Sequence, residues 1–331
     1  MGDQRTAART KAWALSLAVL SAVCFGSSGP FAKALINAGL SPLQAVWLRV
    51  AGAALVLVPL TLAVRGAAGF RPPRRAIAPL LLFGAAGVAG CQACYFVAAA
   101  RLPVGVAILL EYTGPILLVG WIRFVRRVPV PRAAALGVVI ALAGVACVVQ
   151  VWAGLRLDGI GLLAGLGAAV CQAAYFLLAE RMGTGTDPLV LTSVGFVVGA
   201  AVLTTVAAPW SIPWEMLPAE VTFAGGQAPA WLITAWIVTV STVIAYLTSV
   251  LAVRRLSAPV AAAVAYPEAV AAAVFAWLIL GEHLTPVQIA GGMIVLVGAF
   301  VAQRAVSARE PVAAAGAVGP AVSARAPAAV R

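Results

Sequence analysis

Ten long, predominantly apolar runs dominate this sequence, at residues 13–35, 42–64, 76–98, 104–122, 133–152, 159–181, 188–208, 229–252, 258–280 and 284–303. Each is close to the roughly 20 residues that a helix needs to cross a bilayer. Proline or glycine clusters separate most of them, which marks the turns. A soluble domain cannot carry such runs. Only 10% of the chain is charged and 63% is hydrophobic, whereas a soluble domain has about 25% charged residues. Mean hydropathy is +1.05. In lipid every backbone polar group must be satisfied within the protein, which helices do locally. A barrel would show short alternating strands instead. The expected fold class is therefore an all-α integral membrane protein with ten transmembrane helices.

The formal charge of +12 does not argue for nucleic acid, because the basic residues sit between apolar runs. With a cytoplasmic N-terminus, 18 of the 22 Lys and Arg residues fall on one side, including Arg65, Arg71, Arg123, Arg126, Arg127, Arg132, Arg254 and Arg255. The other side receives Lys33, Arg49, Arg101 and Arg156. Positive loops stay inside, so both termini are expected in the cytoplasm. The first run is too long for a signal-peptide core, and Val23 before Cys24 fits a lipoprotein cleavage site poorly; an uncleaved helix is expected. Cys24, Cys91, Cys94, Cys147 and Cys171 all lie in apolar runs. They read as packing residues, the Cys91-x-x-Cys94 pair included. Residues 1–12 are expected as a cytoplasmic N-terminus, 209–228 as a tryptophan-flanked loop along the lipid–water boundary, and 304–331 as a disordered tail.

The chain also repeats itself. Residues 98–145 align without a gap onto 252–299, matching Ala98/Ala252, Arg101/Arg255, Tyr112/Tyr266, Gly137/Gly291 and Gly144/Gly298. Earlier, Ala22-Val23-Cys24 matches Ala169-Val170-Cys171, and Pro42 matches Pro188. This divides the chain into repeats at 13–152 and 159–303, joined by an external linker at 153–158. Five spans per repeat is odd, so the second half enters the membrane from the opposite side. Inverted repeats characterise secondary transporters, whose substrate sites lie near mid-membrane between the halves.

Ala265-Tyr266-Pro267-Glu268, Leu280-Gly281-Glu282-His283-Leu284-Thr285-Pro286 and Gly291-Gly292 resemble the ninth- and tenth-helix signature of the drug/metabolite transporter superfamily, in its EamA-type ten-helix exporters. The run from Gly105 to Pro115, with Glu111-Tyr112-Thr113-Gly114-Pro115, is similar to the fourth helix of the threonine/homoserine exporter branch. Arg126-Arg127-Val128-Pro129 departs from the family's usual Gly-Glu-x-x-Thr. The resemblance covers residues 13–303. It implies a basket of helices around a central cavity in a bacterial-type inner (plasma) membrane, and export of amino acids or related metabolites. It calls for no cofactor, and it is as compatible with a homodimer as with a monomer.

Charges within hydrocarbon are costly and mark function. Glu111 and Glu268 lie inside the fourth and ninth spans beside Pro115 and Pro267, one helical turn apart in repeat register. The charge state of a buried carboxyl depends on its partners, so either can take up and release a proton, as substrate/proton antiport requires. The structural alternative is a hydrogen-bonded residue closing a proline kink. Tyr112 and Tyr266 are repeat equivalents beside them. Gln92 with Tyr95, and Gln172 with Tyr175, are spaced to share a helix face. They can face substrate or bond between helices, at about 0.6 kcal/mol each. Tyr246 is a further candidate. Arg49 and Lys33 can neutralise a substrate carboxylate or Glu111; snorkelling to the interface is the alternative for Lys33.

No GxxxxGK[ST] stretch exists, which excludes ATP hydrolysis by this chain alone. The single histidine makes a metal site or a Ser-His-Asp set untenable. The competing classes are an uncoupled metabolite or drug permease, a membrane enzyme and a scaffold subunit. An enzyme would need clustered Asp, Glu and His at one interface, and a scaffold would not need intramembrane glutamates.

Overall fold

The computed structural model describes residues 2–67, 74–150, 158–182, 187–253 and 266–307. Arg71, Arg255, most of the 153–158 linker, residues 258–265 of the expected ninth span and residues 308–331 lie outside them. Helices predominate: α1 (Gly2–Gly26), α2 (Ser28–Asn37), α3 (Pro42–Arg65), α4 (Arg74–Leu82), α5 (Cys91–Arg101), α6 (Val104–Glu111), α7 (Gly114–Phe124) and α8 (Arg132–Val149) in the first half. The second half has α9 (Gly159–Met182), α10 (Pro188–Ala207), α11 (Ala230–Val238), α12 (Ala245–Val253), α13 (Pro267–Leu280) and α14 (Pro286–Ser307). Among the described residues, eight helices or joined helices are long and apolar enough to cross a membrane; Pro267–Leu280 and Pro286–Ala302 are shorter apolar helices. The protein is a multi-pass membrane protein.

The helix starts follow from local chemistry. Ser41 and Gln44 bond reciprocally through side chain and backbone, a capping box that starts α3 with Pro42 in its first turn. Thr285 and Gln288 repeat this at α14. Asp187 caps α10 ahead of Pro188. Large apolar side chains such as Leu55, Phe124 and Leu163 face outward, as a lipid-facing surface requires.

Several expectations are corrected. The chain is not all-α: within the 209–228 loop and just beyond it, Glu220–Phe223 and Gly226–Pro229 form an antiparallel hairpin, pairing Glu220 with Pro229 and Phe223 with Gly226. Its turn residues Ala224 and Gly225 both have positive φ, 51° and 76°, the twist that suits a two-residue hairpin. Phe223 packs its ring edge-on against Phe31, which stacks on Trp236. Four expected spans are not continuous α-helices. The first breaks between α1 and α2 and the fourth between α6 and α7. The third and eighth contain π-helical segments, Phe83–Gly90 and Thr239–Ile244.

Helices α8 and α14 meet backbone to backbone. A Cβ on Gly137 would meet Ala302 N at 2.5 Å and Gly298 O at 2.7 Å; one on Gly144 would meet Val295 N at 2.5 Å and Gly291 O at 2.7 Å. A Cβ on Gly291 would meet Val148 N at 2.8 Å and Gly144 O at 2.9 Å, and one on Gly298 would meet Gly137 O at 2.7 Å. Rising numbers meet falling ones, so the helices run antiparallel. Every contact has its mirror contact between repeat-equivalent residues. Only glycine lets two backbones approach this closely.

Candidate functional site

Arg49 sits two turns into α3 and is 3% exposed. Its Nη1 donates to Gln92 Oε1 at 2.6 Å, Nε to Thr242 Oγ1 at 2.9 Å and Nη2 to the Ser241 carbonyl at 3.4 Å. Its guanidinium also lies 5.7 Å from the Phe96 ring centre, a cation–π distance. All its hydrogen-bond acceptors are neutral. The ion pairs among the described residues are Lys33–Glu282, Arg65–Asp187 and Arg101–Asp158, and Arg49 is in none of them. The Thr242 hydroxyl in turn donates to Ile237 O at 2.8 Å, five residues back along the same span.

Glu111 ends α6 where the fourth span breaks. Gln172 Nε2 donates to its Oε1 at 3.2 Å and the Cys91 thiol approaches the same oxygen at 3.4 Å. Glu268, in the first turn of α13, accepts from the Tyr112 hydroxyl at 3.1 Å. Tyr112 and Tyr266 lie ring to ring at 5.8 Å, and Phe300 meets Tyr266 edge-on. The two halves therefore interlock at the glutamates: Gln172 reaches Glu111, and Tyr112 reaches Glu268. Glu111, Gln92, Gln172, Tyr175 and Tyr246 each keep partial exposure beside fully buried neighbours.

The two expected face pairs diverge. Gln92 turns to Arg49, whereas Tyr95 packs over Gly29, its hydroxyl buried without a hydrogen-bond partner among the described residues. Gln172 turns to Glu111, and its Oε1, over Gly114, is likewise buried and unpartnered among the described residues. Tyr175 packs against Phe83 and Gly87. Tyr246 is held edge-on between Phe25 and Phe196. Lys33 neither snorkels nor meets Glu111: its Nζ pairs with Glu282 at 2.5 Å and donates to Leu102 O at 2.7 Å. The other Glu282 oxygen accepts from Val104 N at 2.7 Å, capping α6 and tying α2 to the turn after α13.

The sequence reading missed Ser241, Thr242 and Cys91. The Thr239-Val240-Ser241-Thr242 stretch is an unusually polar interruption of an apolar span, and that was the available signal. Cys91 reads in sequence as a packing residue, like the other cysteines.

Comparison with known proteins places the whole chain. The EamA-like transporter family matches twice, over residues 12–150 and 159–303. The chain is 28% identical over 218 residues to the threonine/homoserine exporter RhtA of Escherichia coli (strain K12) and of Salmonella typhimurium (strain SL1344). Those matches cover 64% of this chain and 66% of the relatives, a little under two thirds of their length. A crystal structure of a protein 20% identical in sequence has a TM-score of 0.57, covering 92% of this chain and 99% of that one, which speaks for the fold.

Proposed function

The chain belongs to the EamA-like transporter family, and from that premise we propose that it exports small polar metabolites, amino acids or related compounds, across the inner (plasma) membrane in exchange for protons. The observation that carries the substrate class is Arg49, a buried cation whose hydrogen-bond partners are neutral oxygens. A cargo carboxylate is the anion such a cation takes, as a charge-assisted, bidentate pair. Glu111 and Glu268 supply the proton sites, and the cargo's ammonium competes with the proton for them. Tyr95, Tyr112, Tyr266 and Gln172 offer hydroxyl and amide groups to the remaining polar atoms of the cargo. The RhtA relatives, named as threonine/homoserine exporters, support the same cargo class.

The architecture belongs to this proposal: ten spans in two inverted five-span repeats, with both termini cytoplasmic. Its supports are the double family match, the reciprocal glycine contacts of α8 and α14 and the charge asymmetry of the loops. The test is transport in proteoliposomes with a panel of amino acids, with and without a proton gradient. Accumulation that follows the gradient is expected. Movement indifferent to the gradient would leave an uncoupled permease, and no movement of any amino acid overturns the cargo class.

A further inference from the structure

Both halves widen their third span at the same register. The π-helical segments end at Gly90 and Ile244, positions separated by the same 154 residues that relate Gly137 to Gly291. Such segments are rare and gather at functional sites, where one surplus residue loosens the backbone ladder. The two are nevertheless packed differently. Counted from the matched Pro42 and Pro188, Arg49 corresponds to Gly195. Gly195 lets α10 lie directly on the first segment: a Cβ there would sit 2.8 Å from the Phe83 ring and 3.3 Å from Val88. Gly199, one turn on, stands 3.4 Å from Gly84 O by the same measure. That joint is filled by carbon and backbone. On the other side the guanidinium of Arg49 stands between α3 and the second segment, bonded to Ser241 O and Thr242 Oγ1 inside it. The same guanidinium reaches Gln92, two residues beyond the end of the first segment. One cation thus bridges both loosened spans.

We propose that Arg49 is a clamp released by cargo: in the empty carrier it ties the third and eighth spans together through Gln92, Thr242 and Ser241, and the cargo's carboxylate draws it off those acceptors, freeing the two spans to move. This rests on the carboxylate reading of Arg49 given above. A carboxylate can take the guanidinium through Nε with Nη2 or through Nη1 with Nη2, and all three nitrogens already donate to Thr242, Gln92 or Ser241, so cargo and clamp compete for them. Thr242 and Gln92 are then positioning residues that oppose binding and hold the empty carrier still, which prevents cargo-free cycling. A merely structural role gives the opposite sign, because losing a hydrogen bond to a buried arginine would only weaken the site.

The experiment uses the full chain in detergent or proteoliposomes, comparing wild type with Thr242→Val, Gln92→Ala and Arg49→Gln. The binding probes are L-threonine and 1-amino-2-propanol, which lacks the carboxylate. Thr242→Val should bind L-threonine about tenfold tighter, the size of one hydrogen bond to a charged group, with 1-amino-2-propanol unchanged. Arg49→Gln should bind the two probes alike. The second readout needs no cargo: amide hydrogen exchange at residues 83–90 should rise in Thr242→Val, although the substitution lies in the other π-helical segment. Exchange at 83–90 that stays at the wild-type level, or L-threonine binding that weakens in Thr242→Val, overturns the clamp. A wild type that binds no amino acid, with the exchange effect present, overturns the cargo class and leaves the clamp standing.

Discussion

Glu111 and Glu268 carry opposite neighbourhoods despite sharing a residue type. Glu111 takes its contacts from an amide and a thiol, Gln172 and Cys91, while Glu268 leans on the phenol of Tyr112. Each glutamate therefore relies on donors from the other half or from a neighbouring span, and each loses its titratable group on conversion to glutamine without losing volume. Glu111→Gln and Glu268→Gln should abolish gradient-driven accumulation while leaving exchange of cargo for cargo measurable. Full driven transport in both variants would sink the proton role and spare the carrier. Glu282 acts differently, since it neutralises Lys33 and caps α6 at Val104 N. Glu282→Gln leaves a partly buried ammonium without its counter-ion and should cost about 1–3 kcal/mol, read as a lower Tm of the purified protein. At this scale the intramembrane charges were legible because hydrocarbon makes every charge conspicuous. Partner choice was not: Lys33 and Glu282 are far apart in sequence, and nothing in either neighbourhood names the other.

Among the elements, the legible features were those with a local cause. Ser41-Pro42, Asp187-Pro188 and Thr285-Pro286 announce helix starts because proline needs no donor in a first turn and the preceding side chain caps the free amides. The π-helical segments escaped notice for an equally physical reason. One is built from Phe-Gly-Ala-Ala-Gly-Val-Ala-Gly and the other from Thr-Val-Ser-Thr-Val-Ile, so no shared composition marks the surplus residue; packing against α10 and α3 selects it. The hairpin at 220–229 was hidden because Gly225-Gly226 lay within a stretch read as interfacial loop. The glycine seam of α8 and α14 was visible only as matched positions. Its packing predicts that Gly137→Val or Gly144→Val, each forcing a side chain onto backbone atoms 2.5–2.7 Å away, lowers stability by about 1–3 kcal/mol. Gly120→Val, where nothing lies within 4 Å, should stay within about 0.5 kcal/mol. Thermal unfolding in detergent separates the two, and equal Tm values would mean that the seam is not closed in solution.

For the whole molecule, the loop charges and the repeat make one joint prediction. A phosphatase that is active only outside the cytoplasm, fused after residue 307, should remain silent, and the same fusion in the 153–158 linker should be active. An active C-terminal fusion would refute the orientation. In the proposed inverted arrangement, the contacts of α8 with α14 lie on the axis that exchanges the halves, and each half presents there the face that fits its own inverted copy. Points on such an axis keep their place when the halves trade shapes, as the pivot of a seesaw does while its arms change height. Backbone-to-backbone glycine contact has few side-chain rotamers to lose or regain, so this fulcrum can turn without unpacking. In that arrangement the broken first and fourth spans and the widened third and eighth would be the arms, and the glycine seam the joint on which they swing.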